Sequence, residues 1–146
     1  YLKWNNPKGV CQSVLKMIIK VTPDKEKVIL QLIKKREGFV STIDHEKFST
    51  NAAENYYEII KELASALILL DGFKTIGDSV HKDLIEYLIN YREFSEEDIV
   101  FMNDLRIKRN NSSYDGKKID QSYLINNKNR ILEIIERLKK VIKKKL

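Results

Sequence analysis

Sulfur chemistry is almost absent from this chain: a single cysteine, Cys11, occurs in 146 residues. One thiol excludes an internal disulfide framework, and no group of Cys and His sits at metal-ligand spacing. No metal or organic cofactor is therefore expected, and a reducing compartment suits the composition. Histidine is nearly as scarce, with only His45 and His81. The two prolines, Pro7 and Pro23, and the five glycines, Gly9, Gly38, Gly72, Gly77 and Gly116, fall between apolar-periodic segments or at their starts, so none interrupts a predicted helix. No apolar run approaches the roughly 18 residues that a bilayer span requires, and no signal-peptide pattern opens the chain. A soluble, cytoplasmic protein without membrane attachment is expected. The first residue is Tyr1 rather than Met, which leaves room for sequence upstream.

What the chain does have is helical periodicity. With 42% apolar residues it can bury one core, and its 33% charged residues are what amphipathic helices with solvated outer faces need. Residues 1–21 read as an N-terminal extension: a polar turn around Asn5-Asn6-Pro7, then Val10, Cys11, Val14, Leu15, Ile18 and Ile19 at the spacing of a short amphipathic helix. Residues 22–146 read as one bundle. Thr22-Pro23-Asp24 launches a helix through Val28, Leu30, Leu32 and Ile33, and Gly38 ends it. Phe39 to Ser49 has no sustained period and reads as a loop that Phe39, Val40, Ile43 and Phe48 pin to the core.

Ser49 or Thr50 then caps the longest helix, Asn51 to Asp71, which is apolar nearly all round from Leu63 onward and so belongs at the centre. Asp71-Gly72 closes it, Phe73 to Gly77 is a short connection, and Asp78 caps a segment carrying Val80, Leu84, Tyr87, Leu88 and Tyr91. Ser95 and Asp98 form a Ser-x-x-acid start for the next helix. After Lys117 to Asp120 comes a final long helix with Leu124, Ile131, Ile134, Ile135, Leu138, Val141 and Ile142. The expected fold is an all-α, up-and-down antiparallel helical bundle of about five to six helices.

The helix that begins at Ser95 breaks its own pattern. Ile99 and Met102 set an apolar face, yet at about 100° per residue Arg106, Arg109, Asn110 and Ser113 project on that side. A buried guanidinium without a partner costs several kcal/mol, so this face must meet a cleft, a subunit or an anion. A second stripe, Val100, Ile107 and Tyr114, repeats every seven residues and offers another packing surface. Glu62 and Asp104 are candidate acidic partners for the arginines. His81, at the margin of a face with Ile85 and Leu88, reads as a surface or structural residue, and His45 is isolated in its loop.

Arg109-Asn110, three further residues and Tyr114 resemble the motif of HEPN domains, in which Arg-Asn or Arg-polar precedes a His after four to six intervening residues. Upstream, Tyr56-Tyr57-Glu58-Ile59-Ile60-Lys61-Glu62-Leu63, Leu70-Asp71-Gly72-Phe73-Lys74-Thr75-Ile76-Gly77-Asp78 and Leu84-Ile85-Glu86-Tyr87-Leu88 are similar to archaeal and bacterial HEPN proteins whose motif ends in Tyr. The resemblance spans Thr22 to Leu138. It implies a homodimer whose motif helices meet near a two-fold axis, and metal-independent RNA cleavage in the shared cleft. Arg109 would contact phosphate, helped by Arg106, with Lys108 and Ser113 nearby, while Asn110 orients it and Tyr114 takes the His position. Tyr, with an ordinary pKa of about 10, is a poor base at neutral pH, although it can donate a hydrogen bond or stack on a base. The alternative is a non-catalytic HEPN module, partnering a minimal nucleotidyltransferase in a toxin and antitoxin pair, or binding a nucleotide. A purely structural alternative has Arg109 and Asn110 pairing across a two-fold interface or bonding helix ends, with Tyr114 packing its ring.

Charge is uneven. Residues 126–146 hold eight basic side chains and two acidic ones, so the whole formal excess of +6 lies in the last helix. Such a segment attracts RNA phosphates with steep salt dependence, or more simply complements the helix dipole and keeps the end solvated.

Overall fold

The computed structural model describes residues 2–3, 14–16, 23–75 and 80–145. In chain order these form β1 (Leu2–Lys3), β2 (Val14–Lys16), α1 (Pro23–Thr42), α2 (Ser49–Leu70), β3 (Phe73–Thr75), α3 (Val80–Tyr87), α4 (Glu96–Asp115) and α5 (Gln121–Lys145). A 3-10 turn, Leu88–Asn90, extends α3. The chain is an all-α bundle in which α2 packs against α1, α3, α4 and α5. The reason lies in its sequence: Tyr57, Ile60, Leu63, Ala64 and Leu67 on one side, and Ala52, Ala53 and Ile59 around it, are all sealed from solvent. Each buried Leu or Ile contributes about 1.5–3 kcal/mol, while the alanines let neighbouring backbones approach. None of the described helices is long and apolar enough to cross a membrane.

Several local expectations give way to tertiary packing. Gly38 does not end α1, which runs on to Thr42 because the next turn carries Val40 into the core. Of the four residues expected to pin the following segment, Val40 is buried and Ile43 packs against the core, but Phe39 and Phe48 are exposed. Neither Ser49 nor Thr50 caps α2: Phe48 occupies the cap position, and the Ser49 hydroxyl instead donates to the Ile119 carbonyl at 2.9 Å. Thr50 Oγ1 accepts the Ile119 N–H at 2.9 Å, tying the α4–α5 connection to the start of α2.

The N-terminal amphipathic helix is also corrected where the structure describes it. Val14–Lys16 is a strand, antiparallel to β1 on one side and to β3 on the other, with Val14 opposite Thr75 and Lys16 opposite Phe73. β3 lies within the expected Phe73 to Gly77 connection and offers a backbone edge that competes with helix formation, an offer the β-branched Val14 suits. The remaining helical positions of that segment, and the expected caps Thr22 and Asp78, lie outside the described residues.

α4 begins as its sequence dictates. The Ser95 side chain accepts the Asp98 N–H at 3.2 Å, and the Asp98 carboxylate accepts the Ser95 N–H at 3.0 Å, a reciprocal capping box. Gly116 closes the helix at φ 67°, a left-handed conformation that glycine adopts without steric cost. α5 then clasps α4 from outside: Arg137 donates to Asp98 at 2.7 Å and to the Glu93 carbonyl at 3.2 Å.

Candidate functional site

The buried residues of α4, Asp98, Ile99, Phe101, Met102 and Leu105, all lie in its first half. Beyond Leu105 the helix rises out of the core on a polar seam with α2. Arg109 Nη2 pairs with Glu58 Oε1 at 2.9 Å, and one turn further Ser112 donates to Glu54 at 2.9 Å. The expected acidic partners of the arginines are engaged elsewhere. Glu62 holds Arg36 of α1 at 2.9 Å, and Asp104 accepts the Tyr123 hydroxyl at 3.3 Å. The seam residue near the helix end is Ser112, whereas Ser113 is exposed.

The motif residues therefore separate around the helix. Arg109 faces α2. Arg106, half-buried, is held by its Nε to Asn103 at 3.2 Å. Lys108 turns to the opposite flank, 3.9 Å from Asp104 and 4.8 Å above the Tyr123 ring of α5. Asn110 is half-buried between Arg106 and the outer surface. Tyr114 is 78% exposed, so the expectation that its ring packs is overturned: Gly116 ends α4 before any neighbouring element reaches that side. Val100, at 69%, and Ile107, at 47%, complete an outward stripe with Tyr114. No hydrogen bond among the described residues joins Arg109 to Tyr114.

Sequence reasoning missed the groups that surround the two arginines. Glu54, Glu58 and Lys61 recur at i, i+4 and i+7 on an otherwise apolar central helix, and that periodic charge was the available signal. Lys61 Nζ lies 2.6 Å from Glu58 Oε2, so this one carboxylate serves both Lys61 and Arg109. Burial alone would raise the Glu58 carboxyl, but Lys61 first, then Arg109 and Arg36, outweigh it and hold the group below its ordinary value. Tyr57, 1% exposed, has a hydroxyl without a hydrogen-bond partner among the described residues, as does Arg109 Nε. Burial pushes that hydroxyl up to about 12, with Arg106 opposing, so Tyr57 is a proton-bearing donor at neutral pH.

His81, in the first turn of α3, belongs to the same neighbourhood. Burial lowers its pKa below 6.5; the charges of Lys61, Arg109 and Arg106 lower it further, against Glu58. The other imidazole lies elsewhere: His45 Nε2 is 3.0 Å from the Tyr56 hydroxyl, at a cavity of about 360 Å³ between α1, α2 and α5.

The basic terminal helix is largely internal in its commitments. Arg137 and Arg130 flank Asp98, Lys139 pairs with Glu37, and Lys145 reaches Asp71 at 2.9 Å. Lys128, Lys140, Lys143 and Lys144 have no carboxylate partner among the described residues. Half of the expected cationic surface therefore fastens the bundle. Comparison with protein-family models, with curated proteins and with solved structures gives no match.

Proposed function

We propose that this chain is a HEPN-like RNA-binding protein that works as a homodimer joined along α4, with Arg109, Arg106 and Asn110 facing RNA phosphates. The observation that carries this reading is the second half of α4. There a half-buried pair of guanidiniums stands between the core and an outward apolar stripe of Val100, Ile107 and Tyr114. Seven-residue spacing makes such a stripe self-complementary when a second copy is related by a two-fold axis. Asp104 and Lys108, one turn apart and opposite in sign, flank it so that an antiparallel copy sets each charge against its complement.

Metal-independent cleavage is the chemistry that the motif's resemblance implies, since a ribose 2′-hydroxyl attacks the adjacent phosphodiester without an activated water. Arg109 supplies charge for the phosphate oxygens, and Tyr114, open to solvent, suits base stacking better than proton transfer. The test is RNA cleavage in EDTA by the unmodified protein, Arg109→Ala, Arg106→Ala and Tyr114→Phe, each checked for folding and dimerisation. Cleavage lost in the arginine variants establishes a ribonuclease, and Tyr114→Phe then reports whether the phenol participates. Salt-sensitive RNA binding without cleavage, weakened in both arginine variants, establishes a binding module. Absence of both removes the RNA reading and favours the second one: the exposed stripe as the surface for a protein partner such as a nucleotidyltransferase.

A further inference from the structure

We infer that Lys61, His81, Arg106 and Arg109 form one phosphate-binding site inside a single protomer, at the junction of α2, α3 and α4, with the Tyr57 hydroxyl as its buried donor. The inference rests on the α4 reading only for the source of the phosphate, a polynucleotide or a free nucleotide. The site itself stands on the charges and donors assembled there.

Three permanent cations, Lys61, Arg106 and Arg109, share one carboxylate, Glu58. The surplus is positive at any pH at which Glu58 is ionised. Arg109 commits Nη2 to Glu58 but leaves Nε, which is buried, without an acceptor. Arg106 makes one bond to a neutral amide oxygen. Tyr57 adds a buried O–H in the same state. A buried donor without an acceptor costs about 1–3 kcal/mol, and a tetrahedral anion presents several oxygens to donors arriving from different helices. α2, α3 and α4 pack on one another, so the donors are held by rigid elements rather than by a loop. His81 is exposed and forms the entrance, which lets a ligand reach the cluster from solvent. It also returns an imidazole to a motif whose own last residue is Tyr114. Facing it are Lys61 and Glu58 from α2 and Arg106 and Arg109 from α4. A dianion bound among them reverses the sign of the local field and raises the His81 pKa.

The probe is sulfate, a tetrahedral dianion that does not titrate near neutral pH, followed by NMR of the two imidazoles. Sulfate is expected to shift His81, to raise its pKa and to leave His45 unmoved. Lys61→Gln and Arg106→Gln should each weaken sulfate about tenfold, the loss of one charge-assisted hydrogen bond. His81→Gln should abolish the tightening of binding seen as pH falls through the imidazole's pKa. An unmoved His81, equal movement of both imidazoles, or unchanged affinity in Lys61→Gln and Arg106→Gln overturns the site. Competition against sulfate by a nucleoside monophosphate and by a short single-stranded RNA then identifies the source. RNA bound equally well by the unmodified protein, Lys61→Gln and His81→Gln overturns this site and leaves the α4 reading intact. Sulfate shifts at His81 without RNA binding support the site and remove RNA as its ligand.

Discussion

Arg137 on α5 donates to Asp98 on α4 at 2.7 Å, and the same carboxylate accepts the Ser95 N–H at 3.0 Å. One side chain thus caps a helix and anchors its neighbour. Asp98→Ala removes the cap and leaves Arg137 without its charge partner, with an expected loss of about 3 kcal/mol. Urea unfolding should show the fall in midpoint with an unchanged slope. A loss below about 0.5 kcal/mol would place Asp98 among ordinary surface residues.

The same carboxylate sets an acid limit. Burial raises its pKa, but the hydrogen bond from Arg137, then those at Ser95, outweigh burial and hold it below 3.8. A depressed folded-state value means that its contribution is fully present above the unfolded value and is lost as pH falls through the folded one. The unmodified protein should lose this stability below about pH 4. Asp98→Asn, which cannot ionise, should be less stable at pH 7 and lose less on acidification. Parallel stability profiles for the two proteins from pH 7 to pH 2 would contradict this.

Gly38 and Gly116 predict opposite signs for one substitution. Gly38 lies inside α1, and a Cβ added there meets nothing within 4 Å. Gly38→Ala should stabilise by about 0.5–1 kcal/mol, since alanine has less freedom to lose on entering a helix. Gly116 has open space as well, but its φ of 67° strains any side-chain-bearing residue. Gly116→Ala should destabilise by about 1 kcal/mol. Thermal unfolding of the two variants decides both signs.

These cases show which parts of the molecule the sequence made legible. The all-round apolar run of α2 required a central position, and the Ser95-x-x-Asp98 signature required a helix start; both are local and both are found. Gly38 misled because a glycine stop signal is weak against the burial of Val40 in the next turn. Val14 misled because its helical spacing says nothing of a strand edge at Phe73–Thr75, far along the chain. At the candidate site, the anomaly of Arg106 and Arg109 was visible, yet its resolution was not. Glu58 becomes a partner only when α2 and α4 are adjacent, and His81 enters only through the packing of α3.

Glu58 occupies the centre of the cation cluster and acts on it in two directions. Glu58→Gln removes the charge that holds Lys61 and Arg109, with an expected loss of about 2 kcal/mol. It also removes the charge that repels an incoming anion, so sulfate should bind severalfold more tightly. Ligand that binds only the folded state raises stability by mass action, so added sulfate should recover more of the melting temperature in Glu58→Gln than in the unmodified protein. Sulfate also stabilises folded proteins generally by exclusion from their surfaces, and comparing the two proteins cancels that common effect. Equal gains in both would show that Glu58 and anions do not compete.

The outward stripe of α4 separates assembly from folding. Val100, Ile107 and Tyr114 make no contribution to the core, so Ile107→Glu should leave the melting temperature of the isolated chain within about 0.5 kcal/mol of its original stability. In a dimer joined along α4 the substitution sets two carboxylates against each other near the two-fold axis, where their desolvation is uncompensated. Sedimentation equilibrium at micromolar concentration should show a dimer for the unmodified protein and a monomer for Ile107→Glu. RNA binding should fall with the dimer if two copies of α4 frame the cleft, and should persist if the phosphate site belongs to one protomer. A monomer before substitution would remove the shared cleft and leave the three-helix cluster as the place where RNA is held.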